Sequence, residues 1–125
     1  MNGTDIFIDT NICIYLLDGD YNLAELLEGQ NLFISIITEM ELSAYHNSDT
    51  SLKLLSIFLS SVSVSVINIE EKVKNKAISL RKDKKLKLPD CIIAASAMAY
   101  NFPLITADKG FKKVEDLDLI LYEKI

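Results

Sequence analysis

Short apolar runs alternate with amphipathic ones along nearly the whole chain. The run Ile6-Phe7-Ile8 is β-branched and aromatic, and it stops abruptly at Asp9. Ile12, Ile14, Tyr15, Leu16 and Leu17 then open an amphipathic stretch at once. This pattern predicts a buried strand over 5–8 feeding directly into a helix over 10–17, with Asp9 at the junction. Gly19 ends that helix, and Leu23, Leu26 and Leu27 on one face predict a second over 21–28, stopped by Gly29. Residues 32–35 read as a second strand. Thr38-Glu39-Met40-Glu41-Leu42 opens a third helix that fades into a polar loop over 46–50.

Residues 52–59 are apolar on nearly every side, which marks a helix that is buried or faces a partner. Val62, Val64 and Val66 alternate with Ser63 and Ser65, predicting a third strand over 62–67 with one polar face. A charged amphipathic helix follows over 69–82, with Val73, Ala77 and Leu80 inward. Pro89 suits the first turn of an alanine-rich helix that opens at Leu88-Pro89-Asp90 and runs to about Tyr100. Residues 104–106 make a fourth strand, 109–114 a short helix and 119–122 a fifth strand. Strands alternating with helices predict a three-layer α/β domain around a mostly parallel sheet of about five strands.

Composition narrows the class. With 125 residues, half of them hydrophobic, the chain is expected to form one compact domain over 1–125. It carries no apolar run of membrane-spanning length and no basic-then-apolar leader, so a cytoplasmic protein with no membrane contact is expected. Cys13 and Cys91 match no zinc or redox spacing and sit within apolar runs, as reduced core residues do. The net charge of −5 argues against binding nucleic acid through bulk charge. Eight of the thirteen basic residues nevertheless fall between Lys72 and Lys87, against the single acid Asp83. Such a segment is either a solvated helix face or a local phosphate-binding ridge, with Lys82, Lys84, Lys85 and Lys87 as the candidate contacts.

The candidate chemistry lies in Asp9, Glu41, Asp90 and Asp108. Each has an ordinary explanation: Asp9 and Asp108 as helix N-caps, Glu41 as partner of Thr38 in a capping box, Asp90 as an acid favoured in a first turn. Parallel sheets, however, gather functional groups outside the carboxyl ends of their strands, near the point where strand order reverses. Four acids brought there would repel one another unless a cation intervened. Oxygen-only ligands select hard ions, Mg²⁺ or Mn²⁺. Glu39, two residues from Glu41, points to another side of the helix and is not expected to join them. Other chemistries fit poorly. His46 is the only histidine, no phosphate-binding glycine loop exists, and the position a phosphoaspartyl phosphatase fills with its second acid is Asn11.

Taken together these motifs resemble the PIN domain, and within it the VapC-type toxin ribonucleases. Asp9-Thr10-Asn11 resembles the family's opening Asp-Thr-Asn after the first strand, and Ser35 through Thr38 to Glu41-Leu42 its Ser-x-x-Thr-x-x-Glu-Leu stretch. Leu88-Pro89-Asp90 with Ile92-Ile93-Ala94-Ala95 resembles the helix start that holds the third acid. Thr106-Ala107-Asp108 followed by Phe111 resembles the block that holds the fourth. The chain departs from the family after Leu42, where Ser43-Ala44-Tyr45-His46-Asn47 stands in place of a glycine-containing segment.

The resemblance implies a PIN-like (Rossmann-like) α/β/α fold and metal-dependent hydrolysis of RNA. It assigns Asp9, Asp90 and Asp108 to Mg²⁺ or Mn²⁺, and Glu41 to orienting or deprotonating the attacking water. Asn11 and Thr106 would support the carboxylates or the metal's water. It also implies a homodimer and a small antitoxin partner, with residues 52–59 as candidate contact for either, or else ordinary core. The alternatives are a PIN-like nuclease of RNA processing without an antitoxin, a scaffold of the same fold without catalysis, and a receiver-like signalling module. The last would need a phospho-accepting acid after the third strand, where Ile67-Asn68-Ile69-Glu70 stands.

Overall fold

A computed structural model describes residues 3–45, 48–83 and 86–125. His46 of the expected polar loop, and Lys84 and Lys85 of the basic segment, lie outside the described residues. Five strands, β1 (Asp5–Ile8), β2 (Asn31–Ser35), β3 (Val64–Ile67), β4 (Leu104–Thr106) and β5 (Leu119–Leu121), form one sheet in the order β3-β2-β1-β4-β5. Every pairing is parallel. Among the described residues the helices are α1 (Thr10–Leu17), α2 (Tyr21–Leu27), α3 (Ile36–Tyr45), α4 (Asp49–Leu59), α5 (Glu71–Lys82) and α6 (Leu88–Ala99), with a 3-10 turn at Lys109–Lys113. No described helix is long and apolar enough to cross a membrane.

The central strand shows why the chain forms three layers. Side chains alternate across a strand, so Phe7 faces one side of the sheet while Ile6 and Ile8 face the other. Phe7 joins Val73, Ala77, Ile93, Ala94, Leu104 and Phe111 in a core under α5 and α6. Ile6 and Ile8 join Ile12, Leu23, Ile34, Leu42 and Leu55 in a second core under α1, α2 and α4. The small side chains of α6 are the reason it lies so deep: Cys91 through Ala97 are all buried. Cys13 and Cys91 are free thiols inside these cores, and burial raises the pKa of both.

Several boundaries differ from the sequence expectation, each for a local reason. The α3 helix begins at Ile36, not Thr38, because the Ser35 hydroxyl accepts the Ile37 amide at the strand's end (3.1 Å) and turns the chain immediately. The α4 helix begins at Asp49, within the expected loop, because Ser48 and Ser51 form a reciprocal capping box. The β3 strand begins at Val64, and Val62 is fully exposed. Ser61 takes the Ser63 amide with its hydroxyl and the Val64 amide with its carbonyl, which holds 61–63 in a turn. On α4 only Leu55 is buried, whereas Leu52, Leu54 and Ile57 are exposed. Ordinary core therefore accounts for one stripe of that helix and leaves an apolar face outside.

Strand order reverses at β1. The chain builds outward through β2 and β3 on one side, then returns to β4 and β5 on the other. The crevice at the carboxyl ends of β1 and β4 is where the physics of such sheets directs a site.

Candidate active site

Asp9 follows the last residue of β1 and caps α1, its Oδ1 accepting the Ile12 amide at 3.0 Å. Its Oδ2 accepts the hydroxyl of Thr106, the last residue of β4. Thr106 Oγ1 accepts in turn from the Asp108 amide at 3.0 Å, so one fully buried threonine ties together the ends of β1 and β4. Asp108 caps the 3-10 turn through Oδ1, which accepts the Gly110 amide at 2.7 Å. Asp90 stands in the first turn of α6 beside Pro89, and Glu41 projects from the middle of α3.

These four acids come from four separate elements, and all line one cavity of about 140 Å³ together with Thr10, Asn11 and Ile93. Glu39 does not line it. The capping roles of Asp9 and Asp108 are real, and they coexist with the cavity because a carboxylate has more lone pairs than one cap uses. Glu41 does not complete a capping box with Thr38, which lies within α3 and is fully buried. Glu41 Oε1 instead accepts the Thr10 hydroxyl at 2.6 Å, and Thr10 Oγ1 lies 3.0 Å from Thr38 Oγ1.

The electrostatics agree with the geometry. Asp9 is only 4 % exposed. Its pKa is raised from 3.8 to about 6, first by burial, against the opposing hydrogen bonds from Thr106 and Ile12, and then by the charges of Asp90 and Asp108. The Asp90 pKa is also raised, by burial and then by Asp108 and Glu41, while Lys87 lowers it. Among the described residues no three acids stand closely enough to enclose an ion as they are. They face a common space and repel one another across it.

The basic residues divide. Lys87 precedes the first residue of α6 and is felt by Asp90, and Lys82 is exposed at the end of α5. Lys72, by contrast, lies over the Tyr100 ring at the far end of α6, 3.9 Å from its centroid, and Lys74 pairs with Glu71. Among the described basic residues of the segment, Lys87 is the one shown to act on a site acid. Thr10 is the site residue that sequence reasoning passed over. Its signal was present in Asp9-Thr10-Asn11, but the Thr-x-x-Glu spacing of 38–41 suggested a local partner for Glu41 and hid the distant one.

A parallel α/β sheet with a carboxylate-lined crevice at its switch point defines the structural class, an α/β domain whose candidate site is built from acids. The chain belongs to the PIN domain family, whose model matches residues 6–117. It is similar to the VapBC2 complex of Rickettsia felis bound to a DNA fragment from its promoter, at 28 % identity and a TM-score of 0.79 over 96 % of this chain and 100 % of that one. A toxin–antitoxin complex from Klebsiella pneumoniae matches at 31 % identity and a TM-score of 0.74, covering 96 % of this chain and 99 % of that one. VapBC-1 of nontypeable Haemophilus influenzae matches at 26 % and 0.75, over 94 % and 98 %. Among the curated proteins none matches.

Proposed function

We propose that this protein is a divalent-metal-dependent endoribonuclease and the toxin of a toxin–antitoxin pair, acting in the cytoplasm as a single PIN unit over 1–125. The observation that carries the nuclease reading is the meeting of Asp9, Glu41, Asp90 and Asp108 at one cavity from four distant stretches of chain. Their donors are all carboxylate oxygens, which fit Mg²⁺ or Mn²⁺ and not a soft ion. Asp9, Asp90 and Asp108 would hold the ion. Bound there, it offsets the carboxylates' repulsion and stabilises charge building on the phosphate oxygens.

The chain's own groups supply the rest. Glu41 orients the attacking water and accepts its proton, the water oxygen bonds to phosphorus, and the ester bond on the opposite side breaks with its oxygen taking the electron pair. Thr106 fixes the orientation of Asp9, and Asn11 at the cavity wall supports the carboxylates or the water. EDTA is expected to abolish cleavage of an RNA oligonucleotide and added Mn²⁺ to restore it, whereas Asp90→Asn should stay inactive in Mn²⁺. Equal cleavage by wild type and Asp90→Asn would overturn the assignment.

Phosphates flanking the scissile bond would meet Lys82 and Lys87, with Lys84 and Lys85 between them in sequence. RNA binding is then expected to weaken as salt rises, and Lys82→Ala with Lys87→Ala to flatten that dependence by about 0.7 in log–log slope per lost contact. Binding that ignores salt would remove this ridge from the proposal. The antitoxin rests on the relatives, among them a toxin–antitoxin complex, and the homodimer is what the family resemblance implies. The exposed apolar face of α4, with a groove lined by Leu52, Leu55 and Leu59, is the candidate contact for one of them.

A further inference from the structure

The hydroxyl of Thr10 is placed so that its proton can go to only one partner. It lies 2.6 Å from Glu41 Oε1 and 3.0 Å from Thr38 Oγ1. An ionised carboxylate only accepts, and a threonine hydroxyl carries one proton. Once that proton lies on the bond to Glu41, the contact between the two threonines is a hydrogen bond only if Thr38 is its donor. Thr38 is fully buried and cannot turn to water instead.

We infer that Thr38 and Thr10 form a directed hydroxyl chain, Thr38 to Thr10 to Glu41, that makes Thr10 the positioning residue of Glu41. The inference rests on the reading of Glu41 as the group that handles the attacking water. Glu41 needs such a device more than Asp9 and Asp108 do. Asp9 is held at both oxygens, by Ile12 and Thr106, and Asp108 is tied to Gly110. Glu41 is exposed and long, with several side-chain rotamers to restrain. Its anchor comes from α1, 31 residues away in sequence, so the chain also fixes Glu41 relative to Asp9, the neighbour of Thr10. Donation by Thr38 polarises the Thr10 hydroxyl and strengthens the bond it gives.

The test compares Thr10→Val, Thr10→Ser, Thr38→Val and the Thr10→Val/Thr38→Val double variant. It measures cleavage of a fluorogenic RNA oligonucleotide in Mn²⁺, Mn²⁺ affinity by calorimetry, and the carboxyl carbon resonance of Glu41 in metal-free protein. Thr10→Val is expected to lower kcat by about 10- to 100-fold with KM and Mn²⁺ affinity little changed, as loss of orientation does. Thr10→Ser should recover most of the rate. Thr38→Val should give a smaller loss, and the double variant should be no worse than Thr10→Val alone, because a chain is broken once.

The Glu41 resonance should move in Thr10→Val and, less, in Thr38→Val, and stay in place in Thr10→Ser. A wild-type rate for Thr10→Val, no rescue by serine, or a loss matched by weaker Mn²⁺ binding would overturn the inference. The nuclease reading fails separately, if Asp9→Asn cleaves like wild type. The resonance then still decides the chain: unmoved in Thr10→Val, it ends it.

Discussion

Replacing Asp9 by asparagine is expected to reduce RNA cleavage by about a thousandfold or more while leaving the protein at least as stable as wild type at pH 7.5 without metal. The two halves have one cause. Asp9 is 4 % exposed, and its buried charge lifts its pKa from 3.8 to about 6. Holding that charge at neutral pH costs the folded state about 3 kcal/mol, since every tenfold weakening of an acid on folding corresponds to about 1.4 kcal/mol. Asparagine removes the charge and keeps an oxygen able to accept the Ile12 amide. What it loses is the anionic oxygen now bonded to Thr106, and with it the attraction for a cation.

Part of the stability gain is offset at that same bond. The Thr106 hydroxyl already accepts from the Asp108 amide, and facing an amide NH₂ it must turn its own proton elsewhere. Alanine is the poorer test, because it leaves the Ile12 amide and the Thr106 hydroxyl without their partner, at about 1–3 kcal/mol for each buried group. Activity in a nuclease assay and the thermal midpoint of the same preparations check the prediction. Lost cleavage with a preserved midpoint supports the proposed chemistry, and a collapsed midpoint would show Asp9 to be mainly structural.

Much of this arrangement was legible in the sequence, and the particular failures show what pattern reading cannot see. The stop of Ile6-Phe7-Ile8 at Asp9 carried both the buried strand and the carboxylate at its end, because a strand covered on both faces must be apolar throughout and its first polar residue marks the edge. The same logic found Asp108 two residues beyond β4. The start of α3 escaped it. Ile36 and Ile37 continue the apolar run of β2, and periodicity cannot separate a buried strand from the first turn of a buried helix.

Glu41 lines the cavity with the other acids, but its bond from Thr10 was not foreseen. A Thr-x-x-Glu spacing is a local signal, whereas the bond from Thr10 depends on how α1 and α3 lie against each other in three dimensions. The residues of α4 failed in another way. An apolar composition does not say whether the covering surface belongs to the same chain, and here Leu55 finds it there with Phe58 and Leu59 in part, while Leu52, Leu54 and Ile57 stay exposed. The basic segment was legible as charge and not as place, since a 12-residue α5 carries Lys72 and Lys82 to opposite ends of itself.

The same buried charge makes the effect of metal on stability depend on pH. Asp9 has a folded pKa above its unfolded value, so its protonated form favours folding. That contribution is complete below about 3.8 and is lost as pH rises through about 6. Asp90 shifts in the same direction. Metal-free protein is therefore expected to lose stability as pH rises through about 6, where Asp9 ionises beside Asp90 and Asp108. A divalent cation that binds the ionised site should reverse this above pH 6 and do little at pH 5, where protons hold the same oxygens.

For a domain of this length, restoring about 3 kcal/mol corresponds to roughly 10 °C in Tm. Thermal unfolding in saturating Mn²⁺ should accordingly show a rise of that order at pH 8 and a small one at pH 5. Asp9→Asn should show little response at either pH, and its metal-free midpoint should vary less with pH than that of wild type. A rise of equal size at pH 5 and pH 8 would mean that the ion binds elsewhere. Agreement across the pH series and the variant would tie the cation, the raised pKa and the cleft at the sheet's switch point to one set of oxygens.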